Sequence, residues 1–323
     1  DRVVGPRPGP GGAGGKPGGS ALRNGVNPGP ERGAALCITV ARTRKAWYNI
    51  SMKAKAYAKI NLSLYVTGRR NGLHTLDSIM ASVSAFDEVT VRPSDAPASR
   101  VVGMDVPAER EIALRAARMV YDACGLALDV TVEKGIPSGG GMGGSSADGA
   151  AVLVCAHALA EREGKTFDVM RLASDLGSDV PFMTVGGVAR VLGTGEELRR
   201  LDVKTDFTLT LADLGSVDTA ACYRKFDELG TGGAPSRNDE LAAALANGEL
   251  PQALLYNDLT AAAATLNGRV AEAMRSAEAA GVRVVMTGSG GCVYALGDKR
   301  EIFSLMGLDG KLLRTVARGV EIS

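Results

Sequence analysis

Apolar and polar residues alternate with a period of two over 54–66, 86–92, 128–134, 187–192, 205–212, 284–287 and 291–296, which predicts strands. A period near 3.6 predicts helices over 109–124, 145–163, 168–176, 218–228, 238–246, 250–256, 268–280 and 299–307. Leu128 to Glu133 (LDVTVE) is the plainest strand, and the small apolar residues from Ala147 to Glu161 suit a buried helix. Strands come in groups and do not alternate strictly with helices. That points to an α+β fold and away from a doubly wound sheet. Gly193-Thr194-Gly195 reads as a turn closing a first half. The expected domains are therefore 52–200 and 201–323, with no internal repeat.

The first 51 residues break this pattern. Seventeen of the first 33 are Gly or Pro. Such a segment cannot bury enough surface to offset its ordering entropy, so residues 1–51 are expected to be a disordered extension. It lacks the apolar stretch of a signal peptide. The regular pattern starts just after Met52, and the working protein is expected to begin there. The extension holds eight Lys/Arg against two Asp/Glu, while the rest of the chain holds 29 against 34. A mildly acidic body gives no support for nucleic-acid binding. The five cysteines, Cys37, Cys124, Cys155, Cys222 and Cys292, form no C-x-x-C. They suit reduced thiols in a cytoplasmic protein. No apolar run approaches the length of a membrane span. With only His74 and His157, a histidine-rich metal site is excluded, and His157 in its apolar stretch reads as structural.

Ile136 to Ala151 (IPSGGGMGGSSADGAA) lies between the strand at 128–134 and the helix at 145–163. Backbone N–H groups of such a loop can crowd around an anion, and the helix start adds partial positive charge. A flexible linker would not be held between a strand and an apolar helix. Three loop types compete. A Walker loop requires a lysine that is missing here, and Gly15-Lys16 fails because positions 10 and 17 are prolines. A dinucleotide fingerprint matches at Gly139, Gly141 and Gly144, but a run this rich in glycine satisfies many patterns. The third pattern, P-x-x-x-G-[LM]-x-x-S-[SA], is met by Pro137, Gly141, Met142, Ser145 and Ser146.

Three further segments carry candidate chemistry. In AYAKINLSLYVTGRRNGLHTLDS (56–78), Lys59 and Asn61 stand two apart in a strand and share a face, with Ile60 and Leu62 opposite. A lysine inside a buried sheet needs a partner, whereas one on an edge faces solvent. In LGSDVPF (176–182), Asp179 precedes Pro181, which is expected to stop a helix, and the aspartate suits an ordinary cap or turn as well as a catalytic role. VVMTGSGGCVYAL (284–296) permits close backbone approach to a ligand and equally a plain hairpin turn.

The glycine run resembles the phosphate loop of the GHMP small-molecule kinases. AYAKINLSLYVTGRR with a following histidine, LGSDVPF, YNDL (256–259) and TGSGGC narrow the resemblance, over about residues 52–320, to the 4-diphosphocytidyl-2-C-methyl-D-erythritol kinases. The resemblance implies a two-domain fold, with a ribosomal-protein-S5-domain-2-like N-terminal part and a ferredoxin-like C-terminal part. It implies ATP with Mg²⁺, a cytidine-diphosphate-linked methylerythritol substrate phosphorylated on its 2-hydroxyl, and a monomer or homodimer with neither nucleic-acid nor membrane partners. It makes Asp179 the catalytic base and Lys59 its partner. Pro137, Ser138, Gly139, Gly140, Gly141, Met142, Gly143, Gly144, Ser145, Ser146 and Ala147 become the ATP loop. Ser145 or Ser146 would reach Mg²⁺ or phosphate, with no dedicated protein metal site. Asn61 would hold erythritol hydroxyls, His74 would hydrogen-bond cytosine, and Tyr223 would stack on it.

The chain departs from that pattern at three places. Counted from Arg70, R-x-D-G-Y-H is expected to be one residue shorter, as Arg70-Asn71-Gly72-Leu73-His74, and leucine replaces the tyrosine. Glu111 stands where the family often has Asn, and the loop reads Gly144-Ser145-Ser146 in place of G-G-S. Two other readings remain: a GHMP kinase for a different alcohol or phosphate monoester, favoured by Leu73, and a non-catalytic metabolite-binding relative, disfavoured by Lys59, Asp179 and an intact loop.

Overall fold

The computed structural model describes residues 50–102, 104, 111–204 and 206–323. The expected extension lies outside the described residues except at its last two positions, as do the first two residues of the helix expected at 109–124 and the first of the strand expected at 205–212.

The chain opens with a long hairpin of β1 (Met52–Arg70) and β2 (Leu73–Pro93). Asn71 and Gly72 connect them with φ of 52° and 80°. This two-residue turn with positive φ at both positions is the connection whose twist matches flanking antiparallel strands. The expected one-residue shortening does not hold: counted from Arg69, the segment Arg69-Arg70-Asn71-Gly72-Leu73-His74 keeps all six positions of R-x-D-G-Y-H, with Asn71 for the aspartate and Leu73 for the tyrosine. Sequence periodicity predicts only the two ends of this hairpin. Asp77 to Val83 is buried at every position, so no period of two survives there.

β2 serves two neighbours: its C-terminal half pairs with β4 (Leu128–Glu133) and its N-terminal half with β5 (Val188–Gly193). β3 (Ala98–Val101) runs parallel to β4, and β6 (Glu197–Arg200) pairs with β5. Against this sheet lie α1 (Ile112–Cys124), α2 (Gly144–Arg162), α3 (Val169–Leu176) and α4 (Val180–Val185). The small residues of α2 let it sit at the centre of the core: Ala147, Ala150, Ala151, Val152, Leu153, Ala156 and Leu159 are fully buried. Pro181 does not stop a helix. α3 already ends at Gly177, and Pro181 lies in the first turn of α4, where a missing N–H costs nothing.

The second half contains β7 (Thr208–Asp213), α5 (Thr219–Leu229), α6 (Asn238–Ala246), β8 (Tyr256–Asn257), α7 (Thr260–Leu266) and α8 (Gly268–Ala279). β9 (Val285–Thr287), β10 (Cys292–Leu296), α9 (Arg300–Leu305), β11 (Gly310–Arg314) and β12 (Val320–Ile322) follow. The antiparallel order β11-β7-β10-β9, with helices following β7 and β10 in the chain, is the β-α-β-β-α-β ferredoxin-like arrangement. The helix expected over 250–256 is instead one 3₁₀ turn, Gln252–Leu254, because Tyr256 and Asn257 pair with β1 as β8. β12 also returns to β1, so the edge of β1 that β2 leaves open is covered by two strands of the second half.

Candidate active site

Lys59 and Asn61 do share a face: Lys59 Nζ donates to Asn61 Oδ1 at 2.7 Å. Neither is on a solvent edge, with Lys59 3% exposed and Asn61 0%. Burial pushes the Lys59 ammonium below its usual range, and the nearby Asp179 opposes that shift. The Asp179 carboxylate lies 3.8 Å from Lys59 Nζ, an ion-pair distance too long for a hydrogen bond. Asp179 occupies the N-cap position of α4, yet its side chain caps nothing. The ordinary cap reading therefore fails, and the carboxylate is left turned to the cleft, one-third exposed.

Asn61 is committed to protein groups. Its Oδ1 also accepts from Gly288 N at 2.9 Å, and its Nδ2 donates to Ser78 Oγ at 2.8 Å. It thus ties Lys59 to the turn between β9 and β10. Lys59 N in turn donates to Met142 O at 3.0 Å, fixing the strand to the glycine loop. Met142 is 1% exposed and plugs the loop into the core.

The loop is a cradle in which Gly139, Gly140 and Gly141 leave no room for side chains. A Cβ at Gly139 would meet Ser216 Cβ at 2.5 Å, and one at Gly140 would meet Cys292 Sγ at 2.6 Å. Gly144, Ser145 and Ser146 form the first turn of α2, and among the described residues no acceptor is recorded for their backbone N–H groups. Those unspent donors at a long helix's start fit a phosphate. Behind them lies a residue that the sequence reading missed: Lys134 donates to Asp148 at 2.8 Å and to Asp87, while also lining the cleft. Burial pushes the Asp148 carboxyl up.

Across the cleft, His74 at the start of β2 stacks on Tyr223 of α5, with ring centroids 4.6 Å apart. Its Nε2 is 2.8 Å from Asp227 Oδ1, and Arg69 pairs with the same carboxylate. Burial is the main cause that raises the Tyr223 hydroxyl pKa. Leu73, beside the tight turn, is 61% exposed. Glu111 does not face the cleft. It is buried, and it accepts from Ser99 Oγ. Ile112 and Lys134 line that end instead.

One cavity of about 800 Å³ joins all these parts. It brings together Lys59, Asn61, His74, Asp179, Tyr223 and the loop from Pro137 to Ser146. Ala147 is excluded, being fully buried in the core of α2. Thr219, Asp227 and Ser289 join the lining unforeseen. Thr219, Tyr223 and Asp227 are spaced by four on α5, which puts them on one helix face.

Residues 111–187 match the model for the GHMP kinases N terminal domain, and residues 237–304 match that for the GHMP kinases C terminal. A 4-diphosphocytidyl-2-C-methyl-D-erythritol kinase from Mycobacterium tuberculosis is 40% identical over 255 residues, covering 74% of this chain and 80% of that one. The chain belongs to the 4-diphosphocytidyl-2-C-methyl-D-erythritol kinase family. Within this kinase family the Deinococcus radiodurans protein is 38% identical over 252 residues, covering 75% of this chain and 82% of its own. A crystal structure of 4-(cytidine 5'-diphospho)-2C-methyl-D-erythritol kinase superposes with a TM-score of 0.67 at 31% identity, covering 82% of this chain and 98% of that one. Membership makes the chain a small-molecule kinase that uses ATP. Among the described residues no helix is long and apolar enough to cross a membrane.

Proposed function

We propose that this enzyme transfers the γ-phosphoryl group of ATP to the 2-hydroxyl of 4-diphosphocytidyl-2-C-methyl-D-erythritol. The observation that carries the proposal is the single cleft. It runs from the unspent amides of the glycine loop, past Lys59 and Asp179, to an aromatic end made by His74 and Tyr223. A phosphate, an alcohol and a planar base each find their matching chemistry in that order. Cys124, Cys155, Cys222 and Cys292 are free thiols, which suits a reducing cytoplasm.

Asp179 accepts the proton of the attacking hydroxyl, because its carboxylate faces the cleft beside Lys59 and caps no helix. Lys59 offsets the charge that develops, and Asn61 keeps the ammonium aimed. The amides of Gly144, Ser145 and Ser146 bind the phosphates. Mg²⁺ would enter with ATP and neutralise phosphate charge. Ser145 and Ser146 fit it, since no hydrogen-bond partner is recorded for either hydroxyl among the described residues. Phosphoryl transfer asks little covalent work of the protein, so positioning and electrostatics carry the rate.

The test is ADP release by the purified protein with ATP and Mg²⁺. Turnover is expected with the cytidylylated substrate and absent with homoserine, mevalonate and phosphomevalonate. Failure with the cytidylylated substrate alone moves the enzyme to another alcohol, and failure with every alcohol ends the kinase reading.

A pH profile tests Lys59 separately. Its pKa is lowered from 10.5 by burial, so the ammonium is lost below that pH in the folded enzyme. The alkaline limb of kcat is expected to bend below pH 10.5. The residual activity of Lys59→Arg should lack that limb, because guanidinium does not titrate there. A limb that persists unchanged in Lys59→Arg assigns it to another group.

A further inference from the structure

Asp227 has no role in the reading above, yet it is the most engaged carboxylate at the aromatic end of the cleft. It sits one helical turn beyond Tyr223 on α5. Its Oδ1 faces His74 Nε2 and its Oδ2 takes the Arg69 guanidinium from β1. The hydrogen bond from His74, together with the charge of Arg69, holds the Asp227 carboxyl below its usual range, so it is ionised. An ionised carboxylate only accepts, so His74 Nε2 must carry a proton. In neutral imidazole the other nitrogen, Nδ1, is then an acceptor, and among the described residues no hydrogen bond is recorded for it.

The ring is held on more than one side. Tyr223 covers one face, and Phe226 meets it edge-on with centroids 6.3 Å apart. The side chain is only 14% exposed, so His74 is not free to turn. Arg69 serves to fix the carboxylate. We infer that Asp227 is a positioning residue for base selection, holding the Nε2 proton of His74 so that Nδ1 faces a pyrimidine as an acceptor. This inference rests on the kinase reading above and goes beyond it. Cytosine carries an amino donor at its 4-position, where uracil carries a carbonyl acceptor. A His74 fixed as acceptor favours the first and leaves the second with two opposed lone pairs.

The experiment compares the full chain with Asp227→Ala, Asp227→Asn and Arg69→Met. It uses the cytidylylated substrate and its uridylyl analogue, and ¹⁵N NMR of the imidazole nitrogens reports the tautomer. Asp227→Ala is expected to raise KM for the cytidylyl substrate about tenfold. It should leave kcat within about twofold and lower the cytidylyl-over-uridylyl preference about tenfold. KM for ATP should not move. Asp227→Asn keeps an amide oxygen for Nε2–H and should recover KM to within about threefold. Arg69→Met should do the same. The NMR spectrum should show Nε2–H in the wild type and a tautomer mixture in Asp227→Ala.

Unchanged KM and base preference in Asp227→Ala overturn the inference. So does an Asn variant as impaired as the Ala variant, because charge pairing with Arg69 would then be the whole role. If the wild type fails to turn over the cytidylyl substrate, the kinase reading falls. The NMR comparison then still decides whether Asp227 sets the tautomer.

Discussion

Asp179→Asn is expected to lower kcat by about 10³-fold, the usual scale for removing a positioned base. KM for ATP should stay within about threefold, because the phosphates are read by loop amides on a different element. The substitution keeps volume and shape, and the side chain makes no cap bond that its loss could break. What it removes is the countercharge 3.8 Å from a lysine that is 3% exposed. The Asn61 hydrogen bond then holds Lys59 without an ionic partner, and burial drives the ammonium further toward neutrality. Two groups of the cleft therefore fail together, and double substitution of Lys59 and Asp179 should cost little more than Asp179→Asn alone. Stopped-flow or coupled ADP assays measure this directly. A near-normal kcat in Asp179→Asn would remove the aspartate from the chemistry.

The parts of the fold legible in the sequence were those with one dry face and one wet face. LDVTVE at β4 alternates because only one side of it is covered. Asp77 to Val83 in β2 is covered on both sides, so its residues show no period and the centre of the hairpin was missed. Pro181 shows a different limit. A proline near a helix end reads alike whether it stops one helix or starts the next, and only the break at Gly177 separates the two. Tyr256 read as helix because its pairing partner in β1 lies far away in sequence.

Lys59 and the loop were legible because unusual residues stand at fixed spacing in them: a lysine within a strand, glycines at a strand-to-helix turn. Asp179 read as well as an ordinary cap, and only the family resemblance set it beside Lys59. Asp227 and Lys134 were not legible, since an acid on a mixed helix or a lysine after a strand normally marks a solvated surface. Their partners, His74 and the Asp87–Asp148 pair, come from distant segments. The departure at Leu73 was visible as a letter change. Its physical form, a two-residue turn with Leu73 exposed beside it, depended on the register of β1 against β2.

Gly141→Ala is expected to disable ATP use and to weaken the fold at once. Gly141 has φ of +73°, which alone costs an alanine about 1–2 kcal/mol. The larger effect is contact with backbone. A Cβ there would lie 2.2 Å from Thr287 O and 3.0 Å from Gly290 O. The approach is mutual, because a Cβ at Gly288 would lie 2.5 Å from Gly141 O, and one at Gly291 2.5 Å from Gly139 O. The glycine loop and the β9–β10 turn thus meet main chain to main chain, and neither can yield through a side-chain rotamer. Gly288 is also the residue whose N–H holds Asn61, so displacing the turn loosens the Lys59 support. Destabilisation of about 4 kcal/mol is expected in urea unfolding. A fall in kcat/KM for ATP of at least about 100-fold should accompany it. Gly164→Ala is the comparison: its φ is +66°, but nothing lies within 4 Å of its Cβ, and it sits at the far end of α2. It should cost only the conformational penalty, about 1 kcal/mol, with unchanged kinetics. Equal losses in the two variants would mean that positive φ, and not the backbone contact, dictates glycine at position 141.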